Sequence, residues 1–131
     1  MDTGVIVRLL QMHPDYYPVV SSVLDQAYEN NVTILVSNVT LFELSRKAYV
    51  AGEGVLARQY REFFEHSRNV KSCEVSGEVA VKAAEFAARN LSTEESLRLA
   101  TAFVNGADCI LTDCAAMRDL TDVPVVTLDE I

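Results

Sequence analysis

Apolar residues recur along this chain at two spacings, and the alternation between them predicts its elements. Residues 5–12 read as a first helix, stopped by Pro14. Residues 17–30 read as a second, with Pro18 tolerated in its first turn and Tyr17, Val20, Leu24 and Ala27 as its apolar stripe. Val32 to Val36 is apolar throughout except for Thr33, the pattern of a strand covered on both faces. Helical spacing returns over 40–51 (Leu41, Leu44, Ala48) and 55–67 (Leu56, Tyr60, Phe63), with Gly52 and Gly54 as punctuation. A short strand is expected at Val70 to Val75. Helices follow over 77–89 and 94–105, the second ending before Gly106. Cys109 to Thr112 reads as a buried strand, with Cys109 packed inside. Val123 to Thr127 reads as an edge strand because of Pro124. Strands alternating with helices imply an α/β sandwich with a mainly parallel sheet, whose site lies at the carboxyl ends of the strands.

A length of 131 residues suits a single domain spanning 1–131. Nothing in the chain approaches the roughly 18 apolar residues that cross a bilayer, so no membrane role is expected. Met1-Asp2-Thr3-Gly4 lacks the basic start of a secretory signal. Cys73, Cys109 and Cys114 form an odd set without metal-site spacing, which points to a reduced, cytoplasmic setting. His13 and His66 stand alone and receive no role. The net charge of −8 excludes binding of phosphates by an overall positive field. Phosphate recognition would have to be local, through bound cations or a clustered basic rim.

Four acids fall where strands finish or helices begin. Asp2 precedes the first helix, Glu43 and Glu95 lie in first turns, and Asp113 follows the strand ending at Thr112. Gathered at one sheet edge they would repel one another, and a hard cation such as Mg²⁺ or Mn²⁺ relieves that repulsion. A simpler role competes for each glutamate. Ser92-Thr93-Glu94-Glu95 and Thr40-Leu41-Phe42-Glu43 both have capping-box spacing, and acids in first turns suit the helix dipole. Periodicity places Glu95 on an inward stripe with Leu99, Ala102 and Phe103. It places Glu94 on a solvated stripe with Arg98, Thr101 and Asn105.

These segments resemble the PIN-domain family, and within it the VapC-like toxin ribonucleases, over essentially the whole length. Asp2-Thr3-Gly4-Val5-Ile6-Val7 is similar to the first acidic motif, and Val36 to Leu44, with Glu43, to the second. Glu95 to Ala102 is similar to the third, Gly106 to Asp113 to the run into the fourth, and Val123 to Asp129 to the closing strand. The resemblance implies a three-layer α/β/α fold and a Mg²⁺- or Mn²⁺-dependent endoribonuclease. It also implies a homodimer and silencing by a small antitoxin. It assigns Asp2, Glu43 and Glu95 to metal-ligand positions, with Thr112 and Asp113 in the fourth motif and Asp113 as a fourth ligand. Thr3, Asn38 and Thr40 would support the carboxylates by hydrogen bonds, and Arg46, Lys47 and Arg98 would contact the RNA backbone.

The chain departs from the family pattern in three places. Glu95 replaces an aspartate. Thr112-Asp113-Cys114 moves the last acid forward by one, which turns it to the opposite face of an extended segment. Only Met1 precedes Asp2, so the first strand is truncated, and either the native start lies upstream or Val5 to Leu9 supplies the strand. The displaced acid and short start also support a second function, a PIN-like module that binds without cutting. A phosphoryl-receiver domain would want an acceptor aspartate after the third strand, where Ser76 and Gly77 follow Val70 to Val75. A dinucleotide fold would need a glycine fingerprint that the chain lacks.

Overall fold

The computed structural model describes residues 1–131. Helix α1 (Thr3–Leu10) and α2 (Tyr17–Glu29) precede strand β1 (Ile34–Ser37). Then come α3 (Asn38–Val50), α4 (Gly54–His66), β2 (Val70–Cys73), α5 (Gly77–Ala87) and α6 (Thr93–Val104). Strand β3 (Ile110–Thr112), a 3-10 turn (Ala115–Leu120), β4 (Val125–Thr127) and a second 3-10 turn (Leu128–Glu130) complete the chain. The mixed α/β architecture with parallel strands is the one the pattern implies. No helix is long and apolar enough to cross a membrane.

The strands form two parallel pairs, β1 with β2 and β3 with β4. β4 pairs only with β3, consistent with an edge position for the strand that follows Pro124. Strand β3 makes the layers explicit. Ile110 packs in one cluster with Val79, Phe86 and Leu99 of α5 and α6. Its neighbour Leu111 packs against Val5, Val20 and Leu128 on the other face. Ile34 and Val36 of β1, two residues apart and so on one face, join Ile6, Ala27, Leu44 and Phe64.

Between the two pairs runs the short extended start of the chain. The Met1 amine donates to the Leu35 carbonyl of β1 at 2.9 Å, and the Asp2 N–H donates to the Leu111 carbonyl of β3 at 2.9 Å. Two residues thus do the bridging that a full strand would do. The expectation that Val5 to Leu9 supplies that strand is wrong, because Thr3–Leu10 is helical. The helical solution lets Val5 and Ile6 both reach full burial. It also gives Asp2 a cap to make, accepting from the Thr3 N–H at 2.8 Å. Beyond this stub a cavity of about 640 Å³ opens between β1 and β3, lined by Thr33, Leu35, Cys109 and Leu111 with Arg98 and Thr101 of α6.

Other expectations also change. Cys109 is exposed, because β3 begins one residue later and Cys109 stands at the cavity rim. Phe103 is half exposed, whereas Thr101 is buried and Arg98 nearly so. The inward face of α6 is therefore rotated from the expected stripe toward Arg98 and Thr101.

Candidate active site

Asp2 is the centre of the site. It lies at the carboxyl edge of the sheet, 4% exposed, and every oxygen of its carboxylate has a partner. Oδ1 accepts from the Thr3 N–H, and Oδ2 accepts from the Thr112 hydroxyl at 2.5 Å. The Thr112 oxygen accepts in turn from the Cys114 N–H at 2.9 Å. A buried carboxylate is tolerated only with such donors or a counter-charge.

The second acid comes from α3. That helix starts at Asn38 with Ser37 as its cap, through the Val39 N–H, so Thr40 is not the cap of a box with Glu43. Thr40 is instead fully buried, its hydroxyl 2.8 Å from the Thr3 hydroxyl. The Thr3 hydroxyl donates to Glu43 Oε1 at 3.2 Å. A chain of hydroxyls thus runs from Thr40 through Thr3 to Glu43, and Thr112 serves Asp2 from the opposite strand. Asn38 plays no part in this. It bonds the Ser72 hydroxyl on β2, at the exposed side of the strand pair.

What joins the two acids is Arg98 of α6. Its Nη1 donates to Glu43 Oε1, and its Nε forms an ion pair with Asp2 Oδ1. The Nε contact lies off the line a hydrogen bond requires, leaving that nitrogen buried without an aligned acceptor. The three side chains are 12%, 4% and 18% exposed, for Arg98, Asp2 and Glu43. Burial alone would lower the Arg98 pKa, but Asp2 and Glu43 outweigh it and hold the guanidinium's pKa above its ordinary value. Periodicity puts Arg98 on the solvated stripe and the family resemblance gives it the RNA backbone, but in the structure both acids hold it nearly buried. Its position inside Leu97-Arg98-Leu99-Ala100, a run of otherwise apolar residues, was the available signal.

The other two acids do not join this pair. Glu95 closes the capping box with Ser92, bonding the Ser92 N–H and hydroxyl, and its Oε1 accepts from the Cys114 thiol at 3.5 Å. Burial raises the Cys114 pKa, and the charges of Glu95 and Asp2 raise it further, which keeps a neutral thiol between those two acids. Asp113 faces the other way. It pairs with Arg8 at 3.4 Å and lies so close over Gly4 that a Cβ there would collide with its carboxylate. Arg46 and Lys47 are exposed on α3, past Glu43.

The donors suit a hard divalent ion, since Asp2 and Glu43 offer oxygen alone and already hold a cationic group between them. No three His, Cys, Asp or Glu side chains stand together as a metal cluster. The fit therefore extends to the Asp2–Glu43 pair and not to the four-acid set.

No protein-family model matches the chain, and no curated protein matches it. Solved structures do. VapBC2 from Rickettsia felis, bound to a DNA fragment from its promoter, superposes with a TM-score of 0.76 at 15% identity, over 96% of this chain and 95% of that one. A toxin–antitoxin complex from Klebsiella pneumoniae superposes with a TM-score of 0.65 at 20% identity, over 99% and 97%. The fold is one found in toxin–antitoxin complexes. At these identities the likeness fixes the fold alone, and the site has to be argued from its own residues.

Proposed function

We propose that this chain is a PIN-type endoribonuclease, the toxin half of a toxin–antitoxin pair, with Asp2 and Glu43 as the core of its hydrolytic centre. The observation that carries the reading is the convergence of these two carboxylates at the sheet's carboxyl edge. Three threonine hydroxyls hold them there, and a cation already bridges them. Mg²⁺ or Mn²⁺ held by Asp2 and Glu43 would supply an activated water and neutralise charge on the phosphate. The chain's own residues prepare that chemistry. Thr112 and the Thr3 N–H fix both oxygens of Asp2, and Thr3 and Thr40 fix Glu43, so the two carboxylates themselves need little reorganisation. Glu95 would enter only by releasing its cap, and Asp113 only by leaving Arg8.

Arg46 and Lys47 offer local positive charge on an acidic protein, in reach of a phosphate backbone that approaches Glu43. A partner surface has its own candidate. Phe42, Tyr49, Val50 and Val55 are exposed apolar side chains along α3 and the start of α4, where an antitoxin or a second copy would bury them.

The bridging arginine favours a second reading, a PIN-like binding module without catalysis, since a guanidinium that offsets half of the pair's charge lessens the need for a metal. Incubation with single-stranded RNA and Mn²⁺, beside Glu43→Gln, separates the two. Metal-dependent cleavage that disappears in the variant supports the nuclease. Intact RNA, together with no heat of Mn²⁺ binding, leaves the binding module.

A further inference from the structure

The geometry points to Arg98 as a built-in counter-cation that must leave before a divalent ion enters, so that exchange of guanidinium for metal is the step that switches this site on. The inference rests on the proposed metal-dependent reading and adds to it a regulatory residue on α6.

Three observations carry it. First, the guanidinium already occupies one oxygen of each carboxylate, Asp2 Oδ1 and Glu43 Oε1, and Thr112 occupies Asp2 Oδ2, which leaves an incoming ion only Glu43 Oε2 without a partner. Second, the charges allow one occupant. Two carboxylates and a guanidinium sum to minus one, and two carboxylates with a divalent ion sum to zero. Holding both cations would place a net positive charge in a pocket where the side chains are at most 18% exposed. Third, Arg98 has room to move. It lines the 640 Å³ cavity between β1 and β3, whose lining also includes Asp108, and this gives a displaced guanidinium space. The anchor for the swing is firm, because α6 is held by the Ser92–Glu95 capping box and by buried Leu99, Ala100 and Thr101.

Calorimetric titration with Mn²⁺ alone tests this on the full chain, using wild type, Arg98→Met, Arg98→Lys and Glu43→Gln. Arg98→Met is expected to bind at least about tenfold tighter than wild type, and Glu43→Gln to lose binding. Arg98→Lys keeps a charge but cannot bridge two carboxylates as a planar fork does, so it too is expected to bind tighter than wild type. It carries the comparison if circular dichroism shows Arg98→Met unfolded. In wild type, the ¹⁵N-detected Nε–Hε signal of Arg98, assigned by its loss in Arg98→Lys, is expected to move at the Mg²⁺ concentration of half-saturation. Equal or weaker binding in the folded Arg98 variants, or an Arg98 signal unmoved at saturation, overturns the exchange and leaves the metal site standing. Absence of Mn²⁺ binding in every protein overturns the exchange together with the metal-dependent reading beneath it.

Discussion

Replacing Arg98 by methionine removes the one positive charge that faces both Asp2 and Glu43 while keeping a stem of similar length. At 4% and 18% exposure, neither carboxylate can recover its full hydration in place. Loss of one partner from a buried ion pair costs about 3–5 kcal/mol. Asp2 keeps the Thr3 N–H and the Thr112 hydroxyl, and Glu43 keeps the Thr3 hydroxyl, which argues for the lower end, about 3 kcal/mol. Single domains hold only about 5–15 kcal/mol in total, so the loss is large yet leaves most such domains folded. With a urea dependence of about 1.5 kcal/mol per M, the unfolding midpoint should fall by about 2 M. Arg46→Met on the exposed side of α3 is the control and should stay within about 0.5 kcal/mol of wild type. Urea titration followed by circular dichroism, without added metal, gives the comparison. If Arg98→Met moves the midpoint no further than Arg46→Met, the three side chains do not form the buried cluster described.

Thr112→Val keeps the shape of a fully buried residue but removes the donor to Asp2 and the acceptor for the Cys114 N–H. A loss of about 2 kcal/mol and a fall in melting temperature of roughly 6–10 °C are expected by calorimetry, and a fall under about 2 °C contradicts the assigned bond. Alkylation with iodoacetamide at mildly alkaline pH should modify Cys109 first. Burial raises the Cys73 and Cys114 pKa values, so less of each is thiolate, and mass spectrometry showing Cys114 labelled as fast as Cys109 would refute its placement beside Glu95.

How far the sequence reveals this molecule differs between fold and site. The alternation of 3.6-residue stripes with β-branched runs places each helix and strand to within a few residues, because most buried positions are apolar and periodic. The start of the chain follows it too, residues 5–12 reading as a helix and Thr3–Leu10 forming one, while the strand alternative at Val5 to Leu9 fails. Thr3–Leu10 has an apolar content that suits strand or helix, and the outcome is decided by Asp2 capping and by the contacts of Val5 and Ile6 with distant elements. Within the site, Asp2 and Glu43 are readable as acids at element boundaries. Glu95 is readable as a helix cap, and it makes the cap's bonds to Ser92 while its other oxygen accepts from the Cys114 thiol. The role of Arg98 is not readable from periodicity, since a stripe assigned by polarity sends an arginine to water. Only the two carboxylates, brought from positions 2 and 43, turn it inward. Asp113 is turned away by the one-residue shift that places Cys114 toward Glu95 and Asp2.

If Asp2 and Glu43 organise hydrolysis of RNA by water, as proposed, the ends of the cleaved strand report it. Single-stranded RNA incubated with the protein and Mn²⁺ in H₂¹⁸O should yield linear phosphate ends carrying one ¹⁸O atom, with none formed by Asp2→Asn. Ends that are 2′,3′-cyclic phosphates, or cleavage undiminished in Asp2→Asn, would contradict the account.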